Sequence, residues 1–198
     1  MFQSSIKRCL DVVLSAVLLL LTSPVLVLVA IMVKATSKGP VIFRQMRVGK
    51  DGNNFMMFKF RTMVYNAPDI RNPDNSTFNS KNDARVTRVG KVLRETSCDE
   101  LPQLVNVLRG EMSIVGPRPE LPEGPASYTQ AQCARLKVRP GITGLAAVHG
   151  RNGVPVTVRR DRDAHYAENW TLMLDLQILA KTVPLVLQRR GINRESSG

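Results

Sequence analysis

The apolar positions of this chain form one long block followed by short periodic segments. Residues 12–33 are 22 consecutive positions without a charged side chain, which is long enough for a helix that spans a bilayer. After residue 39 no apolar run approaches that length. The pattern therefore predicts one membrane-embedded segment near the N-terminus and a remainder that lies outside the hydrocarbon.

The centre and the flanks of the apolar segment bear on its topology. Pro24 removes a helix hydrogen bond and kinks the axis, and the hydroxyl of Ser23 can bond back to a freed carbonyl. Both flanks are basic, with Lys7 and Arg8 before the run and Lys34 and Lys38 after it. Because basic residues stay cytoplasmic, a re-entrant helix that enters and leaves on one side fits the pattern, as does a kinked spanning helix. A cleaved signal peptide fits poorly, since the run is too long.

Two short strands are predicted after this segment. They cover residues 40–49 and 54–63, on either side of a turn rich in glycine, asparagine and aspartate. Lys59 and Arg61 lie two positions apart, so they share one face of the second strand. A solvated strand face is the ordinary explanation of such a pair, and a face that binds an anion is the alternative.

The remaining chain predicts a polar loop and several helices. Residues 65–90 are a long polar loop, and residues 125–137 and 164–190 are helical regions, the last interrupted by Pro184. A further helix has its apolar residues at helical spacing: Leu101, Leu104, Val105 and Leu108. Gly110 is a typical stop for that helix, and its first turn accommodates Pro102. Strand signals are too few for a barrel or a doubly wound sheet.

An Asp–Glu pair stands at the predicted start of this helix. The spacing places Asp99 at or next to the N-cap, and Ser97 with Glu100 matches a capping box. Capping alone is therefore a sufficient explanation. A helix start also favours an ionised carboxylate and a bound phosphate, and an ionised carboxylate can attack phosphorus or bind Mg²⁺.

Charge and cysteine content narrow the classes of partner. The net charge is +12 and the pI is about 10.3, which indicates an anionic partner such as nucleic acid, anionic lipid or a phosphorylated small molecule. Aromatic residues make up only 5% of the chain, so side chains that could stack on single-stranded nucleic acid are scarce. The three cysteines are far apart, so neither a zinc site nor a disulfide framework is expected. Cys98 beside Asp99 is either a nucleophile or, as the simpler explanation, a buried filler.

Three arginines in or beside loops are candidate anion ligands: Arg94, Arg118 and Arg151. Arg118 stands between two prolines, which predicts a guanidinium held in a fixed position for a bidentate anion. No phosphate-binding loop, dinucleotide fingerprint or zinc-protease motif occurs in the sequence.

Several ordered motifs resemble the bacterial sugar transferase family, the small monotopic phosphoglycosyl transferases of bacterial glycoconjugate assembly. They are SIKRCLDVVLS with the central Ser-Pro, GPVIFRQMRVGKDG, FKFRTM, DELPQLVNVLRGEMSIVGPRP and RPGITGLAAVHGRN. The resemblance runs from about residue 5 to residue 192. The chain resembles the minimal catalytic form, without the additional N-terminal membrane domain of longer relatives.

The resemblance implies a reaction and a set of site residues. A phosphosugar would move from a UDP-sugar to polyprenyl (undecaprenyl) phosphate with Mg²⁺, giving UMP and a polyprenyl-diphosphate sugar. Asp99 would be the nucleophile that carries the phosphosugar and would also contact the metal, and Glu100 would assist as acid or base. The arginines that would grip phosphate are Arg94, Arg118 and Arg151, and Lys59 with Arg61 are candidates for the same role.

The resemblance also implies an architecture and a place in the cell. The expected fold is α+β, a monotopic membrane protein with a re-entrant helix kinked at Ser23-Pro24, interfacial amphipathic helices and a small cytosolic catalytic domain with short strands. Residues 1–36 would form the re-entrant helix and residues 37–198 the catalytic domain, on the cytoplasmic face of the bacterial inner membrane. A charged cluster at the base of the helix would consist of Lys7, Arg8 and Asp11.

Some features remain open at this level. The segment before Asp163 and Tyr166 departs from the aromatic pattern of the family, so the sugar is not specified. A homodimer is compatible with the resemblance, and no nucleic-acid partner is expected. The alternative function is a membrane-tethered basic adaptor that binds anionic lipid or nucleic acid. Such an adaptor would explain the charge and the anchor, but not the Asp–Glu pair or the Gly-Pro-Arg-Pro sequence.

Overall fold

The computed structural model describes residues 2–72, 78, 80, 82–150 and 153–188. The fold is α+β, as predicted, with six helices and two pairs of short strands in the described ranges. The helices are α1 (Phe2–Thr36), α2 (Arg88–Thr96), α3 (Gln103–Arg109), α4 (Leu145–Val148), α5 (Val156–Glu168) and α6 (Leu172–Leu187). The strands are β1 (Ile42–Val48), β2 (Asn54–Phe60), β3 (Ser113–Val115) and β4 (Gly141–Thr143).

Helix α1 is the long apolar segment that the sequence predicts. It is long and apolar enough to cross a membrane, and it continues through Pro24. The hydroxyl of Ser23 donates a hydrogen bond to the carbonyl of Leu20 at 2.8 Å, within the turn that precedes the proline. Most of the helix is not covered by protein: Leu20 and Leu21 are 74% and 70% exposed. Large apolar side chains in this state indicate contact with lipid. Whether α1 turns back at Pro24 stays a prediction.

The base of α1 is fastened to the rest of the fold by three charged side chains. Arg8 donates to the last carbonyls of α3, at 2.6 and 3.0 Å. Asp11 is buried and accepts a hydrogen bond from the backbone N–H of Ile114 at 3.1 Å. Lys7 forms an ion pair of 2.5 Å with Asp175 of α6. These contacts hold the base of the helix in a fixed position relative to α3, β3 and α6.

Strands β1 and β2 form the predicted antiparallel hairpin, with Ile42 opposite Phe60 and Val48 opposite Asn54. The turn between them contains Asp51 in the left-handed region, which aspartate tolerates better than most residues. Arg61 directly follows β2 and is buried. Its guanidinium donates to the backbone carbonyl and hydroxyl of Ser37, at 2.8 and 2.7 Å, so it holds the C-terminal end of α1 against the hairpin.

Helix α3 is fixed to the hairpin by one buried amide. Asn106 accepts a hydrogen bond from the N–H of Phe58 at 3.0 Å and donates to the carbonyl of Met56 at 2.8 Å. The amide thereby continues the backbone pairing of β2 with a side chain. Around it lies a core cluster of Phe55, Met57, Val107 and Met112. Gly110 ends α3 in the left-handed region, as predicted.

Strands β3 and β4 are parallel and only three residues long. They lie close because glycine occupies the contact: a Cβ at Gly116 or Gly141 would collide with backbone atoms of the opposite segment. Two predictions in this half of the chain are corrected. Residues 125–137 contain two 3₁₀ turns in place of a helix. The final helical region was predicted to be interrupted at Pro184, but α6 continues through that proline. The break lies between α5 and α6, where Thr171 caps the start of α6 by accepting from the N–H of Leu174.

Candidate active site

The Asp–Glu pair lies in a separate turn between two helices. Helix α2 ends at Ser97, which has a left-handed backbone with φ of 58°. A 3₁₀ turn from Cys98 to Glu100 follows, and α3 begins only after Pro102. The predicted capping box is therefore wrong, because the side chain of Ser97 caps neither segment. Asp99 is not the N-cap of α3, so capping no longer explains the residue.

Asp99 is a buried carboxylate in a basic surrounding. It is 9% exposed. Burial raises the pKa of Asp99 to about 6, and the negative charge of Glu100 adds to the rise. The positive charges of Lys59, Arg94 and Arg118 oppose it. A carboxylate with this pKa is mostly ionised at neutral pH and less strongly hydrated than an exposed one, which favours nucleophilic attack.

Glu100 is held by cations from two other elements. Lys59 of β2 donates to its carboxylate at 2.6 Å. Arg118 approaches the same oxygen at 3.4 and 3.5 Å, and about half of its side chain is exposed. Arg94 of α2 is half-buried and donates to the hydroxyl of Thr62 at 2.9 Å. We call Asp99, Glu100, Lys59, Arg94 and Arg118 the Asp99 cluster.

Two of the candidate phosphate ligands lie elsewhere or cannot be placed. The described contacts of the Arg61 guanidinium are with the end of α1, at Ser37 and Val33, and not with the Asp99 cluster. Arg151 lies outside the described residues. Cys98 is half-buried and packs against the apolar cluster that contains Phe60 and Leu93, which supports the filler interpretation.

The Pro-Arg-Pro corner, residues 117–119, is fixed through its backbone. Arg135 donates to the carbonyl of Arg118 at 2.8 Å. The N–H of Val48 donates to the carbonyl of Glu120 at 2.9 Å, and Arg47 donates to that of Pro119 at 3.3 Å. The corner is thus attached to β1 on one side and to the turn of residues 132–137 on the other, so Arg118 projects from a rigid backbone.

Arg47 is a residue that sequence reasoning missed. Burial and the neighbouring charge of Arg118 lower the pKa of Arg47 to about 10. The positive charges of Arg47 and Arg118 repel one another, and a bound anion would relieve the repulsion. The sequence offered one signal only, which is that Arg47 belongs to the motif that carries the family resemblance.

A buried ionic network supports the corner from behind. Arg135 forms ion pairs of 2.7 Å with Glu120 and with Asp163, and Arg160 pairs with Glu120 at 2.9 Å. Both guanidinium groups also lie over the ring of Tyr128. We call these five residues the Arg135 network.

Each acid of the network responds differently to its surroundings. Burial raises the pKa of Asp163 to about 6 against the opposing charge of Arg135. At Glu120 burial also favours protonation, but Arg135 and Arg160 outweigh it and the pKa is lowered.

The two residues considered for sugar selection are part of the interior. Asp163 is 2% exposed and Tyr166 is 1% exposed. The hydroxyl of Tyr166 is 2.6 Å from Asp175, to which it donates, and 3.1 Å from the carbonyl of Val115. Side chains engaged in this way position α5 against β3 and α6, and they offer no free group to a sugar.

The donor set for the expected metal is small. Among the residues that the structure describes, no group of three or more His, Cys, Asp or Glu side chains could hold a metal ion. Mg²⁺ is often bound by one or two carboxylates together with substrate phosphates and water. Because Glu100 is engaged by Lys59, the site fits an ion shared between Asp99 and the phosphates of a substrate.

Comparison with known proteins agrees with the motifs. The family model for bacterial sugar transferases matches residues 2–189. The exopolysaccharide production protein ExoY of Rhizobium meliloti is 43% identical, covering 93% of this chain and 87% of its own length. A UDP-glucose:undecaprenyl-phosphate glucose-1-phosphate transferase of Klebsiella pneumoniae is 46% identical over 89% of this chain and 39% of its own. An undecaprenyl-phosphate galactose phosphotransferase of Salmonella typhimurium is 41% identical over 94% and 41%, respectively.

The chain belongs to the bacterial sugar transferase family. The prediction that it is a phosphoglycosyl transferase is confirmed at the level of the family. Its long apolar helix and these relatives also indicate that it is associated with a membrane.

Proposed function

We propose that this protein transfers a phosphosugar from a UDP-sugar to polyprenyl phosphate, with release of UMP, through a phosphosugar bound covalently to Asp99. The observation that carries the proposal is the buried carboxylate of Asp99, with Glu100 beside it and three cations around the pair. Such a site holds a nucleophile and compensates the charge of phosphate groups within one cluster.

In the first half of the reaction, a carboxylate oxygen of Asp99 attacks the phosphorus that bears the sugar. The bond from that phosphorus to the oxygen bridging it to the uridine side breaks, and UMP leaves with the bridging oxygen. In the second half, an oxygen of polyprenyl phosphate attacks the same phosphorus. The acyl-phosphate bond then breaks, which returns the Asp99 carboxylate and releases the polyprenyl-diphosphate sugar.

The cations of the Asp99 cluster stabilise charge on the phosphates. Arg118 is held by its backbone and half-exposed, so it can contact a phosphate without reorganisation of the chain. Lys59 holds the carboxylate of Glu100 in place. Glu100 can then accept or return a proton at the acceptor phosphate. A bound Mg²⁺ would supply additional positive charge to the diphosphate.

The membrane supplies the second substrate. We infer that α1 is re-entrant and that the Asp99 cluster faces the cytoplasmic leaflet of the inner membrane. Helix α6 supports this placement, because Asp175 and Ile178 are buried on one side while an apolar row is exposed along the other: Met173, Leu176, Val183 and Leu187. An exposed apolar row of this kind marks a contact with another protein or with a membrane, and the ion pair that joins α6 to the membrane helix α1 favours the membrane.

The reaction is tested by UMP release from membrane-extracted protein with Mg²⁺ and undecaprenyl phosphate. Because the named relatives act on glucose and galactose substrates, the first donors are UDP-glucose and UDP-galactose, followed by other UDP-sugars. We expect at least one donor to release UMP. Release beyond a single turnover should require the acceptor. Binding of anionic lipid without turnover on any donor would favour the adaptor.

Replacement of Ser23-Pro24 by Ala-Leu is expected to change the topology of α1. The variant has no proline to kink its apolar helix, whose length of roughly 33 Å suffices to span the bilayer. Cysteine labelling from the periplasm should then detect part of the N-terminal population, and should detect none of it in the native chain. If the native N-terminus is labelled from the periplasm, the re-entrant arrangement is wrong.

Arg118→Lys is expected to lower kcat/KM for the UDP-sugar with little effect on the melting temperature. Lysine keeps the charge and loses the planar fork. A charge-assisted hydrogen bond contributes on the order of 1.5–3 kcal/mol, so a contact made mostly in the transition state corresponds to roughly ten- to a hundredfold in rate. Arg44→Lys, on the exposed face of β1, is the matched control. Equal kcat/KM in the Arg118 variant and the control would remove Arg118 from the site.

A further inference from the structure

A cavity of about 120 Å³ opens at the base of α1, away from the Asp99 cluster. Its wall carries five basic side chains from α1, the hairpin turn and residues 137–139: Lys7, Arg8, Lys50, Lys137 and Arg139. A single water needs roughly 10–15 Å³ of such volume, so the cavity has room for a group as large as a phosphate.

The cavity is separate from the proposed active site. Arg8 bonds to the C-terminal carbonyls of α3, whereas Asp99 precedes the N-terminal end of that helix. Helix α3 has 7 residues and is therefore about 10 Å long. Neither Asp99 nor Glu100 is among the residues that line the cavity.

Two of the five cations already have partners inside the fold. Lys7 is paired with Asp175, and Arg8 is bonded to α3. The one carboxylate in the wall is Asp11, which accepts the N–H of Ile114. These groups fix the shape of the cavity.

Three further cations have spare capacity. Lys137 is exposed, and its side chain has no hydrogen bond or ion pair with the described part of the chain. The nearest acid to Lys50 is Asp51, at 3.8 Å, and both are exposed. Arg139 donates through Nε to the carbonyl of Gly110 at 2.8 Å, which leaves the two terminal nitrogens of its guanidinium for another acceptor. Arginine with lysines around one cavity is a typical set of ligands for a phosphate group.

The position of the cavity favours a phosphate that belongs to a lipid. The next turns of α1 carry exposed apolar residues, beginning with Leu10, Val13 and Leu14, so the hydrocarbon begins directly beyond the cavity. Trp170 lines the cavity and donates to Asp175 at 3.0 Å; tryptophan is enriched at the level of lipid headgroups. Basic pockets beside membrane helices on the cytoplasmic side bind anionic headgroups.

We propose that this cavity binds a phosphate group, that of an anionic phospholipid, at a site distinct from the Asp99 cluster. The proposal rests on the membrane placement of α1 and not on the phosphosugar reaction. A lipid bound there would join the basic residues 50, 137 and 139 to the base of the helix, and so fix the height of the protein in the leaflet.

The test measures lipid bound to the delipidated full-length protein in detergent, by native mass spectrometry. The probes are phosphatidylglycerol, phosphatidylcholine and inorganic phosphate. The test variant is Lys50→Gln/Lys137→Gln, in which both side chains are exposed. The matched control is Lys91→Gln/Lys181→Gln, which removes two exposed lysines elsewhere and gives the same net charge.

We expect the native chain to retain one phosphatidylglycerol in preference to phosphatidylcholine. The test variant should bind phosphatidylglycerol roughly ten- to thirtyfold more weakly, and the control should bind it like the native chain. Inorganic phosphate at millimolar concentration should not displace the lipid.

Other results would overturn all or part of the proposal. Equal losses in the test and control variants would show general charge attraction without a site. Absence of both anions from the native chain would also exclude the site. Binding of inorganic phosphate but not phosphatidylglycerol, lost in the test variant only, would keep the phosphate site and exclude the lipid as its source. UMP release is measured separately, so a failure of the proposed reaction does not alter the conclusion about lipid binding in the cavity.

Discussion

Asp99→Asn is expected to give a folded protein that no longer transfers the phosphosugar. Asparagine has nearly the same size, so the turn of residues 98–100 can be kept, but its amide cannot form an acyl-phosphate. The loss should be at least about a thousandfold in rate, the equivalent of roughly 4 kcal/mol or more of transition-state stabilisation. The measurements are UMP release and intact mass, which should show a phosphosugar adduct on the native chain and none on the variant.

The stability of this variant should not fall with its activity. The pKa of Asp99 is raised from 3.8 to about 6 in the folded protein. Its contribution to stability is therefore present below the unfolded pKa of 3.8 and is lost as the pH rises through 6. At neutral pH, removal of the buried charge should leave the melting temperature unchanged or raise it, by the equivalent of on the order of 1–3 kcal/mol.

The activity of the native chain should fall as the pH drops below about 6, because the nucleophile must be ionised. Asp51→Asn is the matched control, since Asp51 is exposed in the hairpin turn and the same chemical change should leave turnover intact. An Asp99→Asn protein that unfolds, or that retains near-native turnover, would reduce Asp99 to a structural residue.

The sequence predicted the parts of the fold that depend on local pattern. The hairpin of β1 and β2 follows from two strand-like runs around a polar turn, and α3 follows from apolar residues that repeat at helical spacing up to Gly110. The membrane helix follows from length and apolar composition alone. In each case the signal lies within about 20 neighbouring residues, so no tertiary information was needed.

The features that sequence reasoning missed depend on contacts between distant segments. The pairing of β3 with β4 joins two strands of three residues, which are too short for a periodic signal. The left-handed backbone of Ser97 is set by the junction of two helices, and it broke the predicted capping box. Arg61 and Lys59 share a strand face by spacing, yet one holds α1 and the other holds Glu100. Spacing could not separate these roles.

The candidate site likewise combines features that the sequence predicts with features that depend on contacts between distant segments. Asp99 and Glu100 were recognised as a motif, but their burial and the approach of Lys59 became visible only in the fold. The Arg135 network was not predicted at all, because its members come from three segments of the chain. The contact between Arg135 and Asp163, for example, joins residues that are 28 positions apart in the sequence.

Arg135→Met is expected to have the second large effect, on stability first and on activity as a consequence. The side chain of Arg135 is 3% exposed and pairs with both Asp163 and Glu120. Removing one partner of a buried ion pair leaves an uncompensated charge and costs roughly 3–5 kcal/mol. The Arg135→Met variant should therefore show a much lower melting temperature, whereas Arg44→Met on the exposed face of β1 should not.

The further expectation is that Arg135 positions Arg118, since it donates to the carbonyl of that residue at 2.8 Å. Arg135→Lys keeps a charge near the acids but cannot also hold the Pro-Arg-Pro corner, so kcat should fall more than the melting temperature would explain.

Asp163→Asn added to Arg135→Met should restore part of the stability, because fewer buried acids are then left unpaired. In the single Met variant, lower pH should also restore stability, because loss of the cation raises the pKa of Asp163 further and raises that of Glu120 from its lowered value. Unchanged kcat in a well-folded Arg135→Lys protein would limit this arginine to a structural role.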